Sequence, residues 1–488
     1  MAAARSPGQV RSGLAAALGL AAGLVSFAWS WRPSYWYDEA ATLSAIDRSP
    51  SELWHMLGRV DAVHGVYYFA ARAWAGLAGT GEAVMRLPSA VGVALACAGT
   101  AVLAQRLSGR HLALAAGIIA VVLPGLSWSG GEARVYAWSA LAGVIVNLAL
   151  LGALEDGSPR RWSLYSLALI LAGYVFLYTL LLLPAHAVTL LLLRRWPRGW
   201  LAAALLSLIA TGPLTWLAWM QRAQLGWIQA TLPHLLGEAL VGQDFLGPRP
   251  GSPLQLPVVC AVLSLLLSVV LCFLAVRSGG EDRRIAVAVA IAAPWAFVPP
   301  FLLLAASAVA FPLYQERYAT FCAPGLALML GLGVLGLWER PRLMAAAVAA
   351  FVLLSVPALV QQKTEDAKAG QDYRRLAAAV GPRDTRADGV VLARVDAGGV
   401  LVAYPDEFRD ATVLNVADTP ARTGSMWGHV LPARALSRAA VAGRRIALLT
   451  GTSSFSAGSR YDTWLIRHGC WRDGDTVAGH FSVRLYRC

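Results

Sequence analysis

Long apolar runs recur along the first three quarters of this 488-residue chain, and they decide what it can fold into. About eleven of them have the length of a helix that crosses a lipid bilayer. Backbone groups inside a bilayer must hydrogen-bond within their own segment, so such runs fold as α-helices. The chain is therefore predicted to be an α-helical polytopic membrane protein. The runs cover residues 12–30, 84–104, 111–127, 135–154, 162–177, 179–193, 200–219, 254–276, 285–308, 319–337 and 343–361.

Charge is sparse and unevenly placed. Only 14% of the residues are charged and 57% are hydrophobic, which excludes an ordinary soluble domain. With a cytoplasmic N-terminus, the inner connections carry fourteen arginines and five acids, while the outer segments carry nine arginines and ten acids. This positive-inside pattern predicts a multi-pass plasma-membrane protein in that orientation. The net charge of +13 then reflects topology, and the scattered arginines do not predict nucleic-acid binding.

The composition changes abruptly near residue 362. Both lysines of the chain, Lys363 and Lys368, follow that point, and charges become frequent. An odd number of spans places this tail on the side of the membrane opposite the N-terminus. We therefore predict a membrane domain at residues 1–361, with a first outer loop at 31–83, and a small extracytoplasmic α/β domain at 362–488. The tail's strand patterns lie at 390–393, 400–403, 413–416, 446–450 and 481–486, and its helical patterns at 372–380 and 459–468.

Two cysteines lie in the tail, Cys470 and Cys488. In an oxidising compartment a disulfide between them would close the last strand onto the preceding helix. The other four cysteines lie in or beside apolar runs, where a buried apolar role is the ordinary interpretation.

An acidic pair, Asp38 and Glu39, follows the first apolar run. Trp31, Trp36 and Tyr37 precede it and form an aromatic belt of the kind found at the membrane surface. A carboxylate held there could deprotonate an acceptor hydroxyl. The alternative is structural: residues 40–46 look helical and amphipathic, so Asp38 could be an N-cap and Glu39 a first-turn charge.

A second group is Asp61, His64, Tyr67 and Tyr68. The spacings of three and four residues would place Asp61, His64 and Tyr68 on one face of a helix. An interfacial amphipathic helix with a polar rim is the structural alternative.

Two further groups begin at the outer ends of the fourth and tenth spans. They are Glu132-Ala133-Arg134-Val135-Tyr136 and Tyr314-Gln315-Glu316-Arg317-Tyr318. Each arginine offers fixed donors to a phosphate oxygen. At that depth it could equally snorkel to the surface and do nothing else.

The long outer segment 221–253 carries Trp227, His234, Glu238 and Asp244 and ends in glycines and prolines. Its length favours a functional loop, so we expect a lid or an acceptor-binding segment.

The order of these motifs resembles the GT-C superfamily of glycosyltransferases, in the branch of protein O-mannosyltransferases, aminoarabinose transferases and related bacterial mannosyltransferase proteins. Where family members commonly have His-Pro-Pro, this chain has His64-Gly65-Val66. The matching features are Asp38-Glu39, Asp61-x-x-His64 ahead of Tyr67-Tyr68, Arg86-Leu87-Pro88-Ser89, Glu132-Ala133-Arg134-x-Tyr136-Ala137, Glu316-Arg317-Tyr318 followed by Pro324, and, in the tail, Asp372-Tyr373-Arg374.

The resemblance implies transfer of a sugar from a polyprenyl-phosphate donor to a hydroxyl acceptor of the cell envelope, on the extracytoplasmic face, with inversion. It implies that Asp38 is the catalytic base and that Glu39 is its neighbour or positions the acceptor. The candidate donor-binding residues are Asp61, His64, Tyr68, Arg134, Tyr136, Arg317 and Tyr318. No metal cofactor is expected, although Asp38, Glu39 and Asp61 could supply oxygen ligands to a divalent ion.

Two other function classes stay open. A transporter or flippase for a lipid-linked sugar should have polar or broken-helix features near the bilayer midplane, and His186 and Pro184 are the main examples here. A non-catalytic envelope scaffold would bind through its tail. The identities of the donor sugar and of the acceptor also stay open, because similar polar side chains would bind many different sugars and hydroxyl acceptors.

Overall fold

The computed structural model describes residues 12–228, 231–247, 255–380, 387–451, 455–479 and 481–488. The contacts divide the chain into two compact units. The helical unit contains the described residues of 12–30, 86–247 and 255–362, and the mixed unit contains those of 31–85 and 363–488. The first outer loop thus groups with the tail, and each unit is described by itself below.

The helical unit contains the long apolar helices. Within the described residues, seven helices are long and apolar enough to cross a membrane, and one further pair is bent by 62° at a break after Val122. Every one of the eleven predicted apolar runs lies on these helices or on the shorter ones, which confirms the polytopic α-helical fold. The seven are Glu82–Ser108, Tyr136–Asp156, Arg198–Met220, Leu256–Glu281, Arg283–Val309, Glu316–Leu335 and Pro341–Gln361, the bent pair is Arg110–Val122 and Pro124–Gly130, and the shorter ones are Ser12–Phe27, Pro159–Val175, Leu177–Leu192, Arg222–Leu225, Leu232–Gly237 and Glu238–Leu246.

Small residues let these helices approach closely, as is usual when packing cannot rely on the hydrophobic effect. A Cβ added to Gly333 would lie 2.0 Å from the carbonyl oxygen of Leu271, and one added to Gly331 would lie 2.8 Å from the backbone nitrogen of Ala116. The helix Ala323–Leu335 is therefore fitted tightly between its neighbours, and every residue from Ala323 to Val334 is buried. This packing fixes the segment that precedes the helix, which carries Arg317.

In the mixed unit, residues 31–85 form short helices. Pro50–Leu57 starts with a capping box in which the Ser49 side chain accepts from the backbone of Glu52 and the Glu52 side chain accepts from the backbone of Ser49. The helices are Tyr37–Ile46, Pro50–Leu57, Ala62–His64 and Gly65–Ala78, together with the first turns of Glu82–Ser108.

The tail is a small α/β domain, as the sequence predicts. Its strands are β1 Gly389–Leu392, β2 Thr412–Val413, β3 Val416–Asp418, β4 His429–Val430, β5 Arg445–Gly451, β6 Trp471–Ala478 and β7 Phe481–Arg487. The five-stranded sheet has the order β2-β1-β5-β7-β6, with β1 parallel to both β2 and β5 and with β7 antiparallel to β5 and β6. β3 and β4 form a separate antiparallel pair. The helices are Glu365–Ala367, Tyr373–Ala378, Val395–Gly398, Gly399–Ala403, Pro405–Phe408, Pro420–Thr423, Ala433–Ala435, Arg438–Val441 and Phe455–Arg467.

In the tail one predicted strand is wrong and the predicted disulfide is confirmed. The strand predicted at 400–403 is wrong, since these residues belong to the helix Gly399–Ala403. A Cβ added to Gly399 would lie 3.3 Å from Ala40, so close packing on the helix Tyr37–Ile46 decides this segment. Cys470 and Cys488 form a disulfide that joins the start of β6 to the chain end after β7.

Candidate functional site

Asp38 and Glu39 lie in the first turn of the helix Tyr37–Ile46. The N-cap of this helix is Trp36, so the interpretation of Asp38 as an N-cap is wrong. Glu39 is fully buried, which also excludes a solvated first-turn charge. The expected amphipathic helix at 40–46 is likewise wrong, because all of these residues are buried. Asp38 is therefore half-buried at the start of a helix whose later residues, from Glu39 on, are buried.

The pKa of Tyr37 depends on the negative charges around the acidic pair. Its hydroxyl accepts a hydrogen bond of 3.2 Å from Nε1 of Trp427, and the two rings lie 5.6 Å apart. Burial raises the pKa of Tyr37, and the negative charges of Asp396, Asp38 and Asp61 raise it further. Asp38 and Asp61 thus act on one phenol, although they are 23 positions apart in the chain. The mixed unit brings the first two predicted groups together.

Asp61, His64 and Tyr68 meet without a continuous helix. Asp61 has a left-handed backbone with φ of 57°, a short 3₁₀ turn covers Ala62–His64, and the α-helix starts at Gly65. The expected common helical face is therefore wrong. The side chains still converge, since the Tyr68 hydroxyl donates a 2.7 Å hydrogen bond to Oδ2 of Asp61.

Burial also excludes the interfacial alternative for this group. The rings of His64 and Tyr68 lie 5.8 Å apart, and both side chains are buried. A polar rim on an interfacial helix would be exposed to headgroups and water. The group instead forms a buried acid, imidazole and phenol arrangement.

Tail residues that the sequence analysis did not select support the acidic pair. The backbone nitrogen of Tyr37 donates a 3.0 Å hydrogen bond to Oε1 of Gln371. The Nζ of Lys368 lies 5.8 Å from the centre of the Trp36 ring. Lys368 is only 2% exposed, which is unusual for a lysine. The one available signal is that Lys368 is one of two lysines in the chain. Trp427 and Gln371 carry no such signal.

Arg134 and Tyr136 belong to the helical unit and lie where the turn 131–135 enters the helix Tyr136–Asp156. The carbonyl oxygen of Arg134 accepts a 3.2 Å hydrogen bond from Ser89 Oγ. Arg134 is 7% exposed. The neighbouring Glu132 is fully buried and accepts a 3.1 Å hydrogen bond from Nε1 of Trp128. A snorkelling arginine would place its guanidinium in water, so that alternative is wrong for Arg134.

Arg317 and Tyr318 lie on the 3₁₀ turn Glu316–Cys322 of the same unit. Nη1 of Arg317 lies 3.2 Å from Oε1 of Gln315 and 3.4 Å from Oε1 of Glu316, and the side chain is 8% exposed. Snorkelling is therefore wrong for Arg317 as well. The ring of Tyr318 lies 6.0 Å from that of Tyr136, so the third and fourth predicted groups are neighbours.

The described part of the outer segment, residues 221–228 and 231–247, is mostly helical. Leu232–Gly237 continues as the π-helix Glu238–Leu246, a rare form that is frequent at functional sites. Its leucines at 232, 236 and 240 are 60%, 44% and 50% exposed, whereas Glu238, Gln243 and Asp244 are buried. Leu235, Phe245 and Leu246 of the same segment are buried as well, so the exposed face carries leucines and the buried face is both polar and apolar.

Asp244 is a buried carboxylic acid of this segment. Its Oδ2 accepts a 2.7 Å hydrogen bond from Nε2 of Gln243. The Oε1 of Gln243 in turn accepts a 3.0 Å hydrogen bond from the hydroxyl of Tyr314. Its Oδ1 is buried and has no hydrogen-bond partner among the described residues. Burial raises the pKa of Asp244 to about 7, while the bond from Gln243 opposes that rise. This chain of contacts links the π-helix to the segment that carries Arg317.

The nine candidate residues thus fall into two groups, each assembled within its own unit. Asp38, Glu39, Asp61, His64 and Tyr68 belong to the mixed unit, and Arg134, Tyr136, Arg317 and Tyr318 belong to the helical unit. Among the described residues, no set of three or more His, Cys, Asp or Glu side chains is arranged to hold a metal ion.

Comparisons with known proteins identify the fold. No protein-family model matches the sequence. No curated protein matches it either. Among solved structures, the chain is similar to ArnT from Cupriavidus metallidurans in the apo state, with a TM-score of 0.56, 13% identity and coverage of 96% of this chain and 97% of ArnT. For the same ArnT bound to undecaprenyl phosphate, the TM-score is 0.55 and the identity is 14%, with coverage of 99% of this chain and 98% of ArnT.

The oligosaccharyltransferase from Archaeoglobus fulgidus is also similar, with a TM-score of 0.49, 11% identity and coverage of 95% of this chain and 71% of that protein. The match to ArnT, an aminoarabinose transferase, extends over nearly the whole of both chains. The chain therefore has the fold of ArnT, and the predicted polytopic α-helical fold with a C-terminal α/β domain is confirmed.

Proposed function

We propose that this chain is an integral membrane glycosyltransferase that moves a sugar from a polyprenyl-phosphate donor to a hydroxyl acceptor of the cell envelope. The observation that carries the proposal is the ArnT-like fold over 96% to 99% of the chain. The ArnT structure with undecaprenyl phosphate supports a donor of that lipid class. The positive-inside pattern supports a cytoplasmic N-terminus and an extracytoplasmic mixed unit.

Asp38 is the proposed catalytic base. The acceptor oxygen forms a bond to the anomeric carbon while the bond from that carbon to the phosphate oxygen breaks, and Asp38 takes the hydroxyl proton. An ordinary carboxylate suffices, because the hydroxyl becomes acidic only as the new bond forms. A single displacement inverts the anomeric carbon. Glu39, one position further along the same packed helix, is proposed to position the acceptor.

The leaving group is a lipid phosphate, whose developing negative charge needs cationic donors. Arg134 and Arg317 are proposed to supply them, with His64 as a further donor. Their burial supports this role, because a guanidinium held out of water interacts strongly with a phosphate oxygen. Asp61 and the three tyrosines at 68, 136 and 318 are proposed to contact the donor sugar or phosphate, since hydroxyl-rich ligands pair with carboxylates and stack on aromatic rings.

The other two function classes receive less support. His186, a polar side chain in an apolar helix, is buried, and its Nδ1 lies 2.7 Å from the Tyr165 hydroxyl, which also accepts from Nε1 of Trp200. Such a contact with two aromatic neighbours suits a structural role, and it supplies no substrate path for a transporter. A scaffold would have no need of the buried acids and arginines near the ends of the apolar helices.

The test is turnover by purified full-length protein in lipid vesicles. The donors are a panel of radiolabelled polyprenyl-phosphate sugars, including mannose, arabinose and aminoarabinose, with a crude envelope fraction as acceptor. Label that moves to the acceptor, together with release of polyprenyl phosphate, is expected for one donor. Repeating the assay with a chelator and with single added metals tests whether a divalent ion takes part.

Transport of labelled donor across the vesicle membrane without transfer would support a flippase and contradict the proposal. Neither transfer nor transport with any donor, in protein that melts cooperatively, would support a scaffold.

A further inference from the structure

A second site lies at the other side of the helical unit. Three helix ends surround a cavity of about 560 Å³, a size typical of small-molecule sites. They are the C-terminal end of Tyr136–Asp156 and the N-terminal ends of Pro159–Val175 and Arg198–Met220. None of the candidate transfer residues lines the cavity.

The cavity has one cationic end. Its polar rim includes Arg195 and Arg198, and no acidic residue lines it. Neither guanidinium makes a hydrogen bond or an ion pair with any residue that the structure describes. The two acids at the end of the helix Tyr136–Asp156 are paired elsewhere, since Glu155 contacts Arg106 and Asp156 contacts Arg161 at 3.2 Å. Two arginines therefore remain to bind an anion.

The backbone adds to this charge. The helix Arg198–Met220 is 23 residues long, and its N-cap, Pro197, provides no side-chain cap. The first amide groups of a helix carry partial positive charge and favour phosphate. The cationic end of the cavity therefore matches a phosphate in both charge and hydrogen-bond donors.

The other end of the cavity is apolar and opens to a lipid-facing surface. Its wall includes Leu154, Trp162 and Leu206. Leu206 is 54% exposed, and on the neighbouring helix Leu167 and Leu171 are 50% and 57% exposed. Large apolar side chains with this exposure belong against lipid tails in a membrane protein. An occupant can thus enter from the bilayer with its chain along the wall.

From this arrangement we infer that the cavity binds an anionic glycerophospholipid, with its phosphate at Arg195 and Arg198 and an acyl chain along the apolar wall. Basic pockets between transmembrane helices bind such headgroups in general. The lipid fills a gap between three helix ends and so stabilises their packing. This site is independent of the proposed transfer reaction, because it uses none of the same residues.

The test is native mass spectrometry of the full-length protein in detergent, titrated with phosphatidylglycerol, phosphatidylcholine or soluble glycerol phosphate. Phosphatidylglycerol should bind more tightly than phosphatidylcholine and raise the melting temperature. The double variant Arg195→Gln/Arg198→Gln should bind it about tenfold more weakly, equivalent to about 1.4 kcal/mol. Arg340→Gln/Arg342→Gln is the matched control, since it removes the same charge from two arginines that are exposed, as Arg195 and Arg198 are, but do not line the cavity.

A second variant, Ala202→Phe, narrows the cavity without changing its charge and should also weaken phosphatidylglycerol binding. Equal binding of phosphatidylglycerol by the double variant, the control and the wild type would overturn the inference. Glycerol phosphate that binds as tightly as the lipid would overturn the lipid assignment and indicate a site for soluble phosphate. Melting curves of each variant show whether a loss of binding comes from unfolding.

Discussion

The Tyr68 hydroxyl donates a 2.7 Å hydrogen bond to Oδ2 of Asp61, across a left-handed turn at Asp61 itself. Non-glycine residues rarely take this backbone, and asparagine and aspartate tolerate it best. Strained backbone of this kind often occurs at functional sites. The contact therefore fixes a carboxylate where an ordinary helix would not place one.

Asp61→Asn should keep the fold and lose activity. Asparagine tolerates the left-handed turn and can still accept from Tyr68, so its melting temperature should match that of the wild type. Transfer should fall by about tenfold or more, because the charge that contacts the donor is lost. Asp61→Ala should in addition destabilise the protein by about 1–3 kcal/mol through backbone strain and the lost bond. Equal stability of the two variants in thermal unfolding would contradict this account.

Arg317→Lys should weaken binding of the lipid phosphate. Lysine keeps the charge but loses the planar fork of donors, so inhibition by free polyprenyl phosphate should weaken by about tenfold. Arg222→Lys serves as a control. Arg222 belongs to the outer segment, lies over the ring of Trp219 and is not proposed to contact the donor. If both variants bind polyprenyl phosphate like the wild type, Arg317 does not hold the phosphate.

Asp244 should make stability depend on pH. Its pKa of about 7 lies above the value of about 3.9 expected in the unfolded chain. Between these values the folded protein keeps a proton that the unfolded chain releases. The free energy of unfolding is therefore highest in acid and falls as pH rises through this window, by at most about 1.4 kcal/mol per unit.

Asp244→Asn should remove that part of the slope, since asparagine does not titrate and keeps an oxygen for Gln243. The measurement is the melting temperature of wild type and variant from about pH 5 to pH 8. Parallel curves for the two proteins would show that Asp244 does not titrate in this window.

The disulfide between Cys470 and Cys488 closes a loop with a sequence separation of 18. The double change to serine should lower the stability of the mixed unit by about 3 kcal/mol, through the entropy of the unfolded chain. Sugar transfer should persist at low temperature, where the mixed unit stays folded, because neither cysteine is among the proposed transfer residues. Peptide mapping without reductant checks the bond directly, and two free thiols in the purified wild type would refute it.

The fold was predictable because hydropathy and length determine membrane helices almost alone. Each of the eleven predicted runs lies on helix, from Ser12–Phe27 to Pro341–Gln361. The tail was harder. Val400 and its neighbours have strand-like composition, but packing against Ala40 makes them helical. β6 was missed because it is an edge strand whose polar, mostly exposed residues lack an apolar alternation.

The sequence was enough to select the candidate residues, but it did not predict their backbone conformation or their burial. Asp38, Asp61 and the arginines at 134 and 317 stand out because charge is scarce near the apolar runs. The left-handed turn at Asp61 has no sequence signature. The burial of Lys368 and Asp244 depends on distant segments, so local pattern could not reveal it.

The most direct test of the central claim is a single-turnover assay of Asp38→Asn with the donor that the wild type uses. The variant should bind polyprenyl-phosphate sugar normally and melt like the wild type. Release of polyprenyl phosphate should fall by at least about a hundredfold, as expected for loss of a general base. Asp47→Asn, at the other end of the same helix and exposed, should stay active. Wild-type release from a folded Asp38→Asn protein would contradict the assignment of Asp38 as the base.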